Sequence, residues 1–157
     1  MIRFHLIIAY ILLNFSTLAI AQSPELGTSS LERFEFALIG DVPYSRDDFD
    51  KFDRLIHEIN TDPRLEWVLH AGDIKNGMSI CSDRMFIDRL QRFQQFKIPF
   101  ILTPGDNEWT DCHRFFTGSY NPLERLARLR GLFYANPGNS LGQKTVTVRT
   151  QASDPSF

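Results

Sequence analysis

Three apolar segments of this chain each end in a Gly-Asp pair. Asp41 follows "FALIG", Asp73 follows "WVLHAG" and Asp106 follows "FILTPG". The first two aspartates are 32 residues apart and the last two are 33 apart, which suits one strand–helix–strand unit between each pair. A carboxylate at the end of a buried strand is costly unless a partner compensates it. A single Gly-Asp pair is most often a turn, but three at equal spacing indicate a shared chemical role.

The segments between these aspartates alternate between strand and helix patterns. Alternating apolar residues over 34–39, and the apolar runs before the second and third aspartates, predict three strands. Apolar residues at helical spacing predict helices from residue 49 to the "NTDP" stop and over 82–97. Asn121-Pro122 predicts the start of a third helix that Gly131 ends, and "KTVTVRT" predicts a fourth strand. The predicted fold class is therefore α/β, with parallel strands joined by crossover helices.

Parallel strands would bring the three aspartates together, because their carboxyl ends meet at one edge of the sheet. Neighbouring carboxylates raise one another's pKa unless a cation lies between them. Carboxylate oxygens are good ligands for a divalent metal ion, and a glycine before each aspartate lets the backbone turn sharply towards the site. Asp41, Asp73 and Asp106 are therefore candidate metal ligands.

The motifs "GDV", "GDIKNG" and "PGDNE" resemble the first three motifs of the calcineurin-like metallophosphoesterases, written D-x-H, G-D-x-x-D/N-G and G-N-H-D/E. The resemblance spans about residues 33–116 and implies a divergent, secreted branch of that family. It implies a metallophosphatase-like α/β/β/α sandwich, of which this chain supplies roughly the N-terminal half. It also implies two divalent metal ions (manganese, iron, zinc or magnesium). Asp41 would bind one ion, Asp106 the other, and Asp73 would bridge them.

The same resemblance implies roles for residues around the aspartates, with two departures from the family pattern. Asn107 stands in place of the catalytic histidine; it can donate a hydrogen bond to a phosphoryl oxygen but cannot act as an acid near neutral pH. Pro43 replaces the histidine of the first motif, and Tyr44 or a water could fill that gap. Asn76 and Glu108 would orient neighbouring groups from behind the metal ligands.

Later histidine motifs of the family have little counterpart here. His113 is the only histidine after the third motif, and it is close enough along the chain to be a candidate catalytic residue. The resemblance implies a metal-dependent phosphoesterase that hydrolyses a phosphomonoester or phosphodiester, in a small molecule or a phosphorylated substrate, by a metal-bound hydroxide. The missing histidines favour an alternative, a secreted non-catalytic metal- or phosphate-binding protein that retains the fold. A net charge of −2, without a basic cluster, gives no nucleic-acid-binding signature.

The N-terminus has the pattern of a secretory signal peptide. Arg3 precedes an apolar stretch over 6–20, and small residues ending at Ala21 precede Gln22. This predicts a signal peptide over 1–21 and a secreted or periplasmic protein. An uncleaved membrane anchor is the alternative, but polar residues interrupt the apolar run, so we expect no stable membrane span in the mature chain. A polar leader over 22–32 and a partial phosphoesterase domain over 33–157 would follow.

Cys81 and Cys112 are the only cysteines of the chain. Each lies in a loop that follows a Gly-Asp pair, and an oxidising compartment favours a disulfide between them. Two free thiols and a pair of thiolate metal ligands are the alternatives, although the spacing is not that of a zinc motif.

Overall fold

The computed structural model describes residues 33–150 and residue 156. Its strands and longer helices are β1 (Glu35–Ile39), α1 (Phe49–Thr61), β2 (Leu65–His70), α2 (Asp83–Phe93), β3 (Phe100–Leu102) and α3 (Pro122–Phe133). Short 3₁₀ turns occupy Arg46–Asp48, Thr110–His113 and Phe115–Thr117. The predicted signal peptide and polar leader, 1–21 and 22–32, lie outside the described residues. Within those residues, no helix is both long enough and apolar enough to cross a membrane.

The three strands form one parallel sheet in the order β1-β2-β3. Leu38 pairs with Leu69, which in turn pairs with Ile101, so the strands end close to one another. The α/β prediction is confirmed, and the carboxyl ends of all three strands lie along one edge of the sheet. This edge carries the loops that contain the three aspartates.

The hydrophobic core lies between one face of the sheet and the helices. Both phenylalanines of α2, Phe86 and Phe93, are buried here, and Phe93 stacks on Phe100 of β3 with ring centroids 4.6 Å apart. Phe52 of α1 meets the Phe93 ring edge-on at 5.9 Å. The opposite face of the sheet is also apolar but open: Leu38 is 64% exposed, and Phe36 stacks on Trp67 at 4.4 Å.

The predicted fourth strand over "KTVTVRT" is wrong, because this segment pairs locally instead of extending the sheet. Among the described residues it forms only an isolated antiparallel bridge between Asn139 and Thr147. The segment folds back on the preceding turn, with Val148 N donating to Gly138 O at 2.6 Å. The edge of β3 is partnered by Leu141, which exchanges two backbone hydrogen bonds of 2.9 and 2.8 Å with Phe100.

Helix α3 begins as the sequence predicts but ends later. Asn121 caps it by accepting hydrogen bonds from Leu123 N at 2.9 Å and Glu124 N at 3.2 Å. The helix continues past Gly131 to Phe133, which is only 2% exposed. Burying a phenylalanine contributes about 2 kcal/mol, which outweighs the cost of about 1 kcal/mol for a glycine inside a helix.

Candidate metal and phosphate site

The first two aspartates follow their strands in an unusual backbone conformation. Asp41 has a φ of 60° and Asp73 a φ of 56°, the left-handed region that aspartate tolerates better than most residues. Their loops are joined by the hydrogen bond from Asp41 N to Gly72 O, 3.0 Å long. Strained backbone of this kind clusters at functional sites, and here it occurs at two of the three candidate ligands.

The second and third Gly-Asp loops touch backbone to backbone. A Cβ atom on Gly72 would lie 2.2 Å from Gly105 N, and one on Gly105 would lie 2.1 Å from Asp73 Oδ1. No side chain fits at either position, so the two glycines permit the carboxylate of Asp73 to enter the third loop. There Asn107 N donates a hydrogen bond to Asp73 Oδ1 at 3.3 Å.

Asp73 is electrostatically linked to both other aspartates. Partial burial raises the pKa of Asp73 above its ordinary value, and the negative charges of Asp106 and Asp41 raise it further, while the N–H of Asn107 lowers it. The donor set fits a hard divalent cation, since carboxylate oxygens are its preferred ligands and a cation would relieve this repulsion. Within residues 33–150, however, no three histidine, cysteine or acidic side chains already form a group that could hold a metal ion.

Tyr44 lies against the first aspartate. Its hydroxyl donates to Asp41 Oδ1 at 2.5 Å. This hydrogen bond, followed by burial and by the charges of Asp41, Asp73 and Glu108, raises the pKa of Tyr44 above its ordinary value. The neighbouring Pro43, which stands where the family has a histidine, is buried. Tyr44, one of the two substitutes suggested for that histidine, therefore lies next to Asp41.

Glu108 links the second and third loops through its buried carboxylate. It is completely buried, its Oε1 accepts hydrogen bonds from Gly105 N at 2.6 Å and Asp73 N at 3.2 Å, and its Oε2 accepts from Ile74 N at 3.3 Å. Burial raises the pKa of Glu108, and the backbone hydrogen bond from Gly105 opposes this rise. These contacts hold the backbone of Asp73 and suit the orienting role expected from the sequence.

The two candidate asparagines shape the same loops. Asn76 Oδ1 accepts from Met78 N at 2.9 Å, and Asn107 Nδ2 donates to Lys75 O at 3.1 Å. His113 lies in the 3₁₀ turn Thr110–His113 that follows the third loop. Its exposed ring bonds the carbonyl of Thr110 at 2.7 Å, and no hydrogen bond or ion pair in the described part of the chain joins it to the three aspartates.

A buried lysine is a feature that sequence reasoning missed. Lys75 is completely buried, and its Nζ donates to Asn76 O at 2.8 Å. Burial lowers the pKa of Lys75, whereas the charges of Glu108 and Asp111 raise it. Lys75 occupies a variable position of the "GDIKNG" motif, and nothing in the local pattern distinguishes it from a surface lysine. Its positive charge is close to the acidic side chains of the loops and compensates part of their negative charge.

The predicted disulfide is confirmed. Cys81 and Cys112 are bonded, with Cα atoms 5.7 Å apart. Their sulfur atoms lie 3.7 and 3.8 Å from the carbonyl oxygen of Asn107. The bridge therefore joins the second loop to the third directly behind the candidate phosphate contact.

His70 joins the first loop to the second. It is completely buried at the end of β2, its Nδ1 accepts from Gly72 N at 3.1 Å, and its Nε2 lies 2.8 Å from Val42 O. Since Nδ1 is an acceptor, Nε2 carries the proton and donates to Val42, so the ring is neutral. Burial lowers the pKa of His70, and the hydrogen bond to Val42 opposes this shift.

This lowered pKa predicts a loss of stability in mild acid. The unfolded chain takes up a proton on His70 below about pH 6.5, whereas the folded protein resists it. The contribution to stability is therefore complete above about pH 6.5 and decreases, by up to about 1.4 kcal/mol per pH unit, as the pH falls towards the folded pKa. The free energy of unfolding would be measured by urea denaturation in EDTA between pH 7 and pH 5. Its slope against pH should be shallower for His70→Gln than for wild type. His57→Gln, an exposed control on α1, should keep the wild-type slope, and equal slopes for all three would contradict the prediction.

A parallel α/β sheet with polar loops at the carboxyl ends of its strands defines a class of proteins that bind ligands at that edge. Within this class, residues 34–153 match the family model for calcineurin-like phosphoesterases. The match covers well over half of the chain, so the protein belongs to the calcineurin-like phosphoesterase family, as its motifs indicated. No curated protein and no solved structure matches the chain.

Proposed function

We propose that this protein is a metal-dependent phosphoesterase with Asp41, Asp73 and Asp106 as its metal ligands. Membership of the family supports phosphoester hydrolysis in general. The observation that carries the specific proposal is the position of Asp73, whose pKa is raised by burial and further by the charges of Asp106 and Asp41. Divalent ions bound there would neutralise this charge, polarise the phosphoryl group and lower the pKa of a bound water.

The side chains around the aspartates divide the remaining tasks. Glu108 accepts the hydrogen bond from the backbone N–H of Asp73, and would thereby hold the Asp73 carboxylate in position for metal binding. Tyr44 keeps its proton and orients Asp41 through the hydrogen bond between them. Asn107 uses one amide N–H on Lys75 O, and its second N–H, unpartnered among residues 33–150, would donate to a phosphoryl oxygen. The substrate would be a monoester or diester in a small molecule or a phosphorylated partner.

Two further parts of the proposal depend on the sequence more than on contacts. A catalytic role for His113 remains a prediction, because the contact described for its ring is the one with the carbonyl of Thr110. Secretion or export to the periplasm remains a prediction as well. The disulfide is compatible with it, since such bonds persist in oxidising compartments.

The second candidate function is binding of metal or phosphate without turnover. Pro43 and Asn107 favour it, because they stand where the family has a histidine ligand and a catalytic histidine. Neither residue can transfer a proton near neutral pH. The two candidates share the same aspartates and differ only in whether a bound ester is cleaved.

Metal removal and replacement tests both functions. Protein stripped with EDTA should not hydrolyse 4-nitrophenyl phosphate or bis(4-nitrophenyl) phosphate, and addition of manganese, iron, zinc or magnesium should restore activity with at least one ester. The same metal should raise the free energy of unfolding by about 2.7 kcal/mol at a hundredfold excess over its Kd. Stabilisation without hydrolysis at any pH would favour the binding protein. No effect of any metal on stability or activity, together with no stabilisation by inorganic phosphate, would contradict both functions.

A further inference from the structure

Four large apolar side chains are exposed next to the candidate site. Met78 and Ile80, in the loop after β2, are 63% and 57% exposed, and Phe115 and Phe116, in the last 3₁₀ turn, are 90% and 49% exposed. We call these four residues the apolar rim. Scattered exposed apolar residues are ordinary, but a cluster of them beside a polar site is typical of a binding surface.

Hydrogen bonds at both ends of the rim hold its two segments side by side. Arg114 Nη1 donates to Gly77 O at 3.3 Å, and Cys81 N donates to Thr117 O at 3.0 Å. The four rim residues lie between these two contacts. The disulfide from Cys81 to Cys112 fastens the same two segments. The rim is therefore a surface with a defined backbone rather than the tip of one loop.

The rim is continuous with the candidate phosphate contact. A Cβ atom on Gly77 would lie 3.2 Å from Asn107 Oδ1, so the residue before Met78 touches the asparagine that would meet the phosphoryl group. Asn107 N in turn bonds Asp73 Oδ1 at 3.3 Å. A phosphoryl group held at the aspartates would thus carry its ester substituent past Asn107 in reach of Met78.

The charge of the rim favours an uncharged substituent. Arg114, the cation adjoining Phe115, forms an ion pair with Asp111 at 2.7 Å. It therefore presents no unpaired positive charge to an anionic leaving group. An apolar group would cover the side chains of the rim and remove apolar surface on both partners from water.

We propose that the apolar rim receives the leaving group of the substrate, and that the substrates are phosphate esters of hydrophobic alcohols or phenols. This inference rests on the proposed function, because it places the phosphoryl group at the three aspartates. Phe115 and Met78 are the specificity-determining residues, since they are the most exposed members of the rim. They act on affinity for the ester substituent and leave the metal ligands untouched.

Binding of non-hydrolysable analogues tests the rim independently of turnover. Isothermal titration of the full chain with Mn²⁺ would compare 1-naphthylmethylphosphonate with methylphosphonate. Wild type should bind the naphthyl compound at least about tenfold more tightly. The double variant Met78→Ser/Phe115→Ser should lose most of this preference. Leu123→Ser, which removes a 70% exposed leucine from α3, should keep it. Hydrolysis of 1-naphthyl phosphate and methyl phosphate would be followed in parallel.

The possible outcomes distinguish failure of the rim proposal from failure of the phosphoesterase proposal. Equal affinity for both phosphonates, or an undiminished naphthyl preference in the double variant, overturns the rim. Equal kcat/KM for both esters also overturns the rim, while the phosphoesterase function stands. A naphthyl preference without hydrolysis of these esters or of bis(4-nitrophenyl) phosphate supports the rim as a binding surface only and overturns the phosphoesterase. Absence of binding by either compound overturns the rim, and it overturns both proposals if none of these esters is hydrolysed. Dimerisation or adsorption to phosphatidylcholine vesicles that the double variant abolishes, without a naphthyl preference, overturns the rim as a substrate surface.

Discussion

Asp73→Asn is expected to lower kcat/KM for 4-nitrophenyl phosphate by at least about a thousandfold, or about 4 kcal/mol of transition-state stabilisation. The amide has nearly the size of the carboxylate and tolerates the left-handed φ of 56°. Its oxygen can still accept the hydrogen bond from Asn107. The change therefore removes the negative charge and one ligand oxygen while it preserves the loop.

The same variant should not be destabilised when no metal is bound. The charged form of Asp73 is disfavoured by burial and by two neighbouring carboxylates, so a neutral amide should leave the free energy of unfolding in EDTA equal or slightly higher. Loss of activity with unchanged stability would identify a metal ligand rather than a structural residue. Asp50→Asn, at an exposed position on α1, is the matched control and should retain activity. Undiminished turnover by Asp73→Asn would remove Asp73 from the site.

Glu108→Ala is expected to cost about 3–5 kcal/mol of the free energy of unfolding. The substitution leaves three backbone N–H groups, those of Gly105, Asp73 and Ile74, without their acceptor. It also removes a negative charge near Lys75, which is completely buried, and opens a cavity. Since small domains have about 5–15 kcal/mol of stability in total, this is one of the largest effects we expect from a single substitution.

Urea denaturation in EDTA would measure this loss, and two further variants would locate its cause. Glu108→Gln keeps the volume and one acceptor oxygen, so its loss should fall between those of wild type and Glu108→Ala. Glu58→Ala, at an exposed position on α1, should change stability by less than about 0.5 kcal/mol. A Glu108→Ala protein as stable as the Glu58→Ala control would show that the link between the two loops is not structural.

The sequence predicts the sheet well because its signals are local. The alternation in β1, the helical spacing in α1 and the Asn121 cap of α3 each depend on neighbouring residues and are all present in the structure. The prediction that failed is the fourth strand, because its pairing with the sheet would depend on distant residues. The alternation in "KTVTVRT" has the same local pattern as a strand, but the segment pairs with the turn before it.

The equal spacing of the three Gly-Asp pairs was sufficient to predict that Asp41, Asp73 and Asp106 lie at one edge of the sheet. Parallel strands joined by crossovers leave no other arrangement for residues at their carboxyl ends. The two cysteines, in a chain with the sequence pattern of an exported protein, likewise favoured their disulfide before any contact was known. These features follow from chain connectivity and from residue chemistry, which sequence contains.

Only the tertiary structure decided which side chains surround the aspartates. The burial of Lys75 and the hydrogen bonds that Glu108 accepts from Asp73 and Ile74 depend on segments that come from different parts of the chain. The apolar rim likewise arises where two loops, 37 residues apart at the Arg114–Gly77 contact, lie side by side. Burial and charge compensation are properties of such non-local contacts, so the sequence determined the three aspartates and their edge of the sheet, and the fold determined their environment.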